Sequence, residues 1–494
     1  MIFRNKVLFF YMILVMFFLF GCVTVGPDYV KPEVSSPAGW NNQLIKDSED
    51  KKNNTNSLAE WWKTINDPIL SSLIERAVAG NLDVKNAVAK VREARANRGI
   101  EEAGYYPAVD ATGSATRERN KNLKQGSNTN QNLYSTGIDA SWEIDLFGGV
   151  RRSVEAATAT LQARDEDLRN TLVSLLGELT LNYIDVRTYQ ARIRVAEGNL
   201  AAQAETYQLT LWMKEADLSD QLAVEQARYS LESTRSKIPA LRIGLEKAMN
   251  RISVLIGEQP GKLRGELNKE EPVPVVSPEI TIGVPAEVLR NRPDIRSAER
   301  ELAAQTAKIG VATAELYPKF TLGGSIGLEA TTGISSSSTG LVLSGGPSIS
   351  WGIFRAGAIR QNIKVQTALQ EQALIKYEAT VLGALEEVEN ALKAFAEEQQ
   401  RKSSLGGTVQ AAVKAVELAQ YKYKAGLTDF NSVLEAQRSL LSYQDELAQS
   451  EGTVVYNLVS LYKALGGGWK SFAPEENNIN KTKSTTNDGD KNEK

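Results

Sequence analysis

The side chains that perform most enzyme chemistry are scarce in this 494-residue chain, which has no histidine and a single cysteine. General acid–base catalysis near neutral pH leans on histidine, and zinc sites draw on His and Cys, so both classes are disfavoured and only carboxylate chemistry stays open. No nucleophile–base pair and no phosphate loop stands out, and carboxylates on helical faces are usually solvated partners of Lys and Arg. Beyond residue 21 only Met213 and Met249 remain of the five methionines, so there is no Met or His ladder to relay soft metals. The expectation is a protein that is not an enzyme and holds no metal and no cofactor. A net charge of -3 gives no reason to expect nucleic acid as a partner.

The solitary thiol has another use. Arg4 and Lys6 precede an uninterrupted apolar run from Val7 to Phe20, too short to span a ~30 Å bilayer comfortably, and the run ends at Leu19-Phe20-Gly21-Cys22. This arrangement resembles a lipoprotein signal, in which Cys22 becomes the acylated first residue of the mature chain, palmitate among its acyl groups. Several acyl chains on one residue give the stable tether that one chain cannot. Val23 rather than Asp follows, which by resemblance to lipoprotein sorting favours the outer membrane.

The elements behind these residues repeat. Asn81-Leu82-Asp83-Val84 matches Arg292-Pro293-Asp294-Ile295, Tyr106-Pro107 matches Tyr317-Pro318, and Leu255-Ile256-Gly257 matches Ala464-Leu465-Gly466. A period of this length is too long for a solenoid and indicates tandem duplication of one unit. Within each unit the order is helix, strand, strand, very long helix, helix. From 149 to 213, core positions step by four and three through Leu168, Leu172, Leu175, Leu179, Asn182, Val186, Tyr189, Ile193, Ala196 and Leu200. From 356 to 424 a second seam runs through Leu374, Tyr377, Val381, Ala384, Val388, Ala391 and Phe395, then Leu405 to Tyr423, interrupted by Glu398 and Lys402. A sustained period of 3.5 predicts coiled-coil packing, and helices of about 65 to 70 residues would reach ~100 Å. The helices after them are shorter, from 215 to 257 in the first unit.

Four segments alternate with period two, each long enough for a tilted strand to cross an outer membrane. One carries Tyr134, Ile138, Ala140, Trp142, Ile144 and Leu146 on one face and Ser135, Asp139 and Glu143 on the other. Another sets Phe320, Leu322, Ile326 and Leu328 against Lys319, Thr321 and Ser325; a third sets Leu341, Leu343, Ile349, Trp351 and Ile353 against Ser344, Ser348 and Ser350. In the segment 108–117 the alternation is faintest. Polar loops are expected at 118–132 and 329–339. Four strands cannot close a barrel and open edges are not tolerated in lipid, so spanning strands require an oligomer. A trimer gives 12 strands over a ring of helices; a dimer gives eight, too narrow for much of a lumen.

Gly21-Cys22, Gly26-Pro27-Asp28-Tyr29, Trp61-Trp62 with Asn66-Asp67-Pro68, Ile238-Pro239-Ala240-Leu241, Arg292-Pro293-Asp294-Ile295 and Tyr462-Lys463-Ala464-Leu465-Gly466-Gly467-Gly468-Trp469 occur in order. With them the chain resembles an outer-membrane factor of the TolC-like superfamily, in the efflux-lipoprotein branch that serves RND-type tripartite pumps. The resemblance implies a mixed membrane α/β fold: four strands given to a trimeric 12-stranded barrel, a periplasmic α-barrel of coiled-coil helices, and an equatorial belt. It implies a passive exit duct for drugs or other small toxic compounds, with a homotrimer, a periplasmic adaptor, an inner-membrane RND-type transporter and outer-membrane lipid as partners. A duct for type I protein secretion is the alternative; the lipoprotein signal and the Gly-Gly-Gly-Trp ending favour the pump branch.

The resemblance also places a gate at the helix–helix turns. Gly426 suits the end of one helix and Thr428 or Asp429 the cap of the next. Three copies of Glu435 around one axis would repel one another and attract cations, while Arg438, one turn on, can pair with an acidic neighbour and hold the closed state. In the first turn Ala216-Asp217 stands where the second has Gly426, with Glu225 and Arg228 as counterparts, so unequal contributions from the two turns are expected. The domain plan is a signal peptide at 1–21, an anchored linker at 22–64, the first repeat at 65–257, an equatorial linker at 258–283, the second repeat at 284–466, and a C-terminal equatorial segment with a disordered tail at 467–494.

Overall fold

The computed structural model describes residues 24–33, 37, 39–41, 58–121, 128–275, 285–333 and 337–472. The expected signal peptide, Cys22, most of the C-terminal tail and the end of the 258–283 linker lie outside the described residues. The elements are α1 (Pro68–Gly80), α2 (Leu82–Ala103), β1 (Ala108–Lys121), β2 (Asn128–Ile144), α3 (Gly149–Glu215), α4 (Gln221–Leu255), the short α5 (Arg264–Leu267) and α6 (Pro285–Asn291), α7 (Pro293–Ala314), β3 (Lys319–Gly333), β4 (Ser337–Ser350), α8 (Ala358–Lys424) and α9 (Phe430–Ala464), with 3-10 turns at Trp61–Ile65 and Trp469–Phe472. The duplication is visible in the lengths: α3 and α8 have 67 residues each, α4 and α9 have 35 each. The expected helix from 215 is therefore shorter than its apolar pattern, because residues 216–220 are spent on reversing the chain. Among the described residues no helix is long and apolar enough to cross a membrane.

The described residues fall into two compact units, one drawn from the ranges 24–33, 89–165 and 296–379, the other from 37–88, 166–295 and 380–472. The first holds an antiparallel sheet of order β1-β2-β3-β4. Its register sets Val109 beside Ala140, Ile138 beside Ile326 and Ile326 beside Leu343, so the period-two alternation of each strand collects on one apolar face. The other face is polar: Thr112 Oγ1 donates to Asp139 at 2.7 Å, and the hydroxyl pairs Ser114/Ser135 and Ser325/Ser344 lie at 2.8 and 2.7 Å. The strands run past the apolar alternation, to Lys121 and from Asn128, to Gly333 and from Ser337, so much of the expected 118–132 and 329–339 loops is strand. Ladder hydrogen bonds belong to the backbone, and Asn, Thr and Ser on both faces leave them intact. Leu146, Trp351 and Ile353, expected within strands, lie just beyond the strand ends.

Residues 24–33 form a strap in this unit. Val25 N donates to Phe147 O at 3.1 Å, and the buried Arg152 guanidinium gathers Val25 O, Gly26 O and Asp28. Gly26, at φ 89°, lies so close to Gly310 that a Cβ would stand 2.4 Å from its Cα, which is why this position in the Gly-Pro-Asp-Tyr motif admits no side chain. Lys31 pairs with Glu299 at 2.7 Å; burial and that carboxylate push the neighbouring Tyr29 hydroxyl up to about 12.

In the second unit the separate sequence motifs converge on one core. Trp61 stacks on Tyr462 and Trp62 on Phe472, with Leu70, Leu73, Ile74, Leu176, Leu179, Ile252 and Leu263 fully or nearly fully buried around them. Asp67 caps α1 through Ile69 N and Leu70 N and also accepts the Tyr183 hydroxyl, which Arg187 meets from the other side. Arg187 is wholly buried; Gln190 and the carbonyl of Lys269 take its Nη1 protons, and Glu271 lies 3.7 Å from Nη2, so the buried charge is both hydrogen-bonded and paired. Leu172, Leu175, Leu179, Val186, Ile193 and Ala196 are buried as the seam predicts, but so are Leu176, Tyr183 and Ile184: mid-α3 is covered on more than one side, wider than a coiled-coil stripe. In α8, Val381, Ala384, Val388, Ala391 and Phe395 are buried, and Glu398, which interrupts the seam, holds Ser450 Oγ and Arg401.

Candidate functional site

The helix–helix turns of the second unit carry the expected gate residues. Leu427 N donates to Lys422 O at 2.9 Å and Gly426 N to Tyr423 O at 3.0 Å, a Schellman ending with Gly426 at φ 69°. Asp429 then caps α9, accepting from Ser432 N at 3.1 Å and Ser432 Oγ at 2.8 Å, while Thr428 donates to the Ser432 hydroxyl. Of the two expected caps, Asp429 is the one that binds the helix backbone. The first turn has the same bonds, Leu218 N to Met213 O at 2.7 Å and Asp217 N to Lys214 O at 3.0 Å, and Asp220 caps α4 through Ala223 N. Asp217 sits at φ 56° where the second turn has glycine. The sequence departure at Ala216-Asp217 is thus absorbed without changing the turn, since Asp tolerates this left-handed region better than most residues.

The filling of the two turns differs. Tyr423 and Phe430 pack with ring centroids 5.2 Å apart, and the buried Phe430 joins Ala223, Ala227, Val433 and Leu434 in a small core. At the first turn Lys214 Nζ meets Gln221 Oε1, and Gln221 Nε2 donates to Glu225 at 2.9 Å, all exposed.

Glu225 and Arg228 form an exposed i,i+3 pair at 3.8 Å. The matched turn bonds carry Glu225 and Arg228 onto Leu434 and Gln437 rather than onto the expected Glu435 and Arg438. Glu435 and Arg438 do not pair: the Arg438 guanidinium lies over the Tyr229 ring, 4.8 Å from its centroid, and Glu435 stands exposed. Arg438 therefore ties α9 to α4 through an aromatic face and not through an acidic neighbour. Cys22, the expected acylation site, lies outside the described residues.

Several contacts beside the turns escape a reading of the sequence. Gln437 is buried and donates to Thr206 Oγ1 at 2.9 Å, and Arg192 makes a two-pronged pair with Asp445 at 2.8 and 2.9 Å. That hydrogen bonding, against the opposing effect of burial, raises the Arg192 pKa and keeps it charged. Burial periodicity flags Gln437 as a core position; nothing in the sequence joins Arg192 to a residue so distant. Among the described residues no cluster of His, Cys, Asp and Glu could hold a metal ion.

The family model described as outer membrane efflux protein matches residues 73–258 and 284–467, one match for each half of the duplication. Nodulation protein T of Rhizobium leguminosarum bv. trifolii is 33% identical over 460 residues, 92% of this chain and 96% of that protein. The probable efflux pump outer membrane protein TtgC of Pseudomonas putida is 32% identical over 468 residues, covering 92% and 94%. The solved structure of the outer-membrane channel OprN superposes with a TM-score of 0.83 at 37% identity, over 90% of this chain and 99% of that one.

Proposed function

The chain belongs to the outer membrane efflux protein family, and from that premise we propose how it carries out the family's work. It is a non-catalytic exit duct of the outer membrane with a periplasmic extension, acting in a tripartite efflux system with an adaptor and an RND-type transporter. The observation that carries this reading is the four-stranded sheet, apolar on one face and polar on the other, with β1 and β4 left as edges. Three copies close a 12-stranded barrel. The cargo is a class of small toxic compounds that passes unchanged.

Cys22 is acylated and tethers the mature chain. Glu435, exposed at the second turn, forms a three-membered carboxylate ring at the periplasmic end, while Arg438 on Tyr229, Asp429 as a cap, and the Glu225–Arg228 pair hold the turns in the closed arrangement. The domain plan set out from the sequence is retained on this reading.

Reconstitution of the intact trimer in planar bilayers should give discrete conductance; an intact trimer without conductance would overturn the duct. Glu435→Ala should weaken block by divalent cations added from the periplasmic side, and unchanged block rejects the ring. Labelled palmitate should be incorporated by the native chain and not by Cys22→Ser; labelling of the variant refutes the anchor.

A further inference from the structure

The duplication carries more information than the order of elements, because it shows within one chain how a β-hairpin of one repeat joins that of the other. Trp142 Nε1 donates to Tyr105 O and Trp351 Nε1 to Leu316 O, both at 3.0 Å, so each hairpin is latched to the end of the helix before it by the same indole. These two latches superimpose β2 on β4 and β1 on β3. The superposition has an internal check: it carries the Ser114–Ser135 pair of β1·β2 onto Ser325–Ser344 of β3·β4, and the two are indeed opposite in the register and share hydroxyl hydrogen bonds.

The junction between repeats is β2·β3, where Asp139 faces Ser325 and Trp142 faces Leu322. Beneath it the Phe147 ring stacks on Tyr317 at 4.7 Å. The equivalent junction would join β4 to β1, yet both are edges of the sheet. Carried through the latches Phe147 becomes Ala356, in step with Gly148 at φ 81° and Gly357 at φ 84°, so the ring stack beneath β2·β3 has no counterpart there, although Tyr106, the repeat of Tyr317, is present and 72% exposed.

We infer that β4 of one copy pairs with β1 of the next in the register inherited from β2·β3. The inference rests on the trimeric duct reading and deepens it by specifying the seam. Carried through the latches, Asp139 facing Ser325 becomes Ser348 facing Ser114; Ser350 then faces Thr112 and Gly346 faces Thr116. This register also keeps Ile349 and Pro347 on the same face as Gly113 and Ala115, so the apolar face continues across the seam, as closure in lipid demands. A second intrachain contact has no equivalent. Lys319 pairs with Glu143 at 3.7 Å, whereas the seam places Ala108 and Gly352 there, so packing and ladder bonds hold it without that ion pair.

Paired cysteines test the register in the full-length protein in native outer membranes. Ser348→Cys with Ser114→Cys should give, on oxidation, a covalent trimer that survives boiling without reductant, several-fold more abundant than with the shifted pairs Ser348→Cys with Thr112→Cys or Ser348→Cys with Thr116→Cys. Preferential cross-linking of a shifted pair overturns the register, and no cross-link from any pair in a trimer shown intact by native mass overturns the seam; a protein that is monomeric by that measurement sinks the trimeric reading beneath it.

Discussion

The two helix turns of the second unit share one backbone and differ in what fills it. Both end on a Schellman pattern and restart on a capping aspartate, but the Gly426 turn closes over Tyr423 and Phe430 while the Asp217 turn is held by Lys214, Gln221 and Glu225 in solvent. Phe430 also touches Ala223 and Ala227 of α4, and Arg438 covers Tyr229 of α4, so the second turn supplies the contacts that join the hairpins. Duplicated segments can thus keep identical hydrogen bonds and still differ in local stability, because burial of aromatic area outweighs exposed polar pairs. The second turn is the firm one and the first is the one more easily opened.

Phe430→Ala is the strongest way to break this contrast. Removing a buried aromatic ring costs about 3 kcal/mol, and amides near the second turn should lose that much protection from hydrogen exchange, while Gln221→Ala at the first turn changes protection by less than about 0.5 kcal/mol. Comparable losses at the two turns would erase the distinction.

The next effect lies in the backbone. Gly426→Ala places a Cβ in open space but at φ 69°, and should cost about 1 kcal/mol of local protection. Asp217→Gly removes the smaller strain at the first turn and should tighten it, by up to about 1 kcal/mol on the same exchange measurement. A loosened Asp217→Gly turn would show that the Asp side chain does something the backbone does not reveal.

The smallest effects come from the charges. Arg438→Gln should lose about 0.5 to 1 kcal/mol of the α4–α9 contact through the Tyr229 ring, whereas Arg228→Gln should be nearly neutral. Raising salt to about 1 M should loosen the first turn detectably and leave the Phe430 core unchanged; equal salt sensitivity would contradict the assignment of polar and apolar fillings.

Much of this was legible in the chain. The repeat follows from Asn81-Leu82-Asp83-Val84 and Arg292-Pro293-Asp294-Ile295, and in the folded protein those motifs act alike. Asn81 Nδ2 donates to Leu255 O and Arg292 to Ala464 O, each holding the end of its hairpin's last helix. Seam residues such as Leu179 and Val388 follow from a period of 3.5, and sheet faces from a period of two, since periodicity reports which side of an element is covered. The partner that covers it is not encoded in the period. Thr206 reads as an unremarkable helical threonine until Gln437 meets it, and Arg438 reads as half of an i,i+3 pair until Tyr229 proves the better neighbour.

The sequence by itself determined the duplicated units, the types and approximate lengths of their elements, a cap at Thr428 or Asp429 and the poverty in catalytic side chains, because each depends on local propensity, period or composition. Only the tertiary structure decided that the strands extend through Lys121 and Gly333, that Trp61, Tyr462 and Trp469 share one core, and that Phe430 and Arg438 bind the first hairpin. Those outcomes depend on contacts between residues hundreds of positions apart, and a chain encodes such contacts only through the shape into which all of its local preferences are packed together.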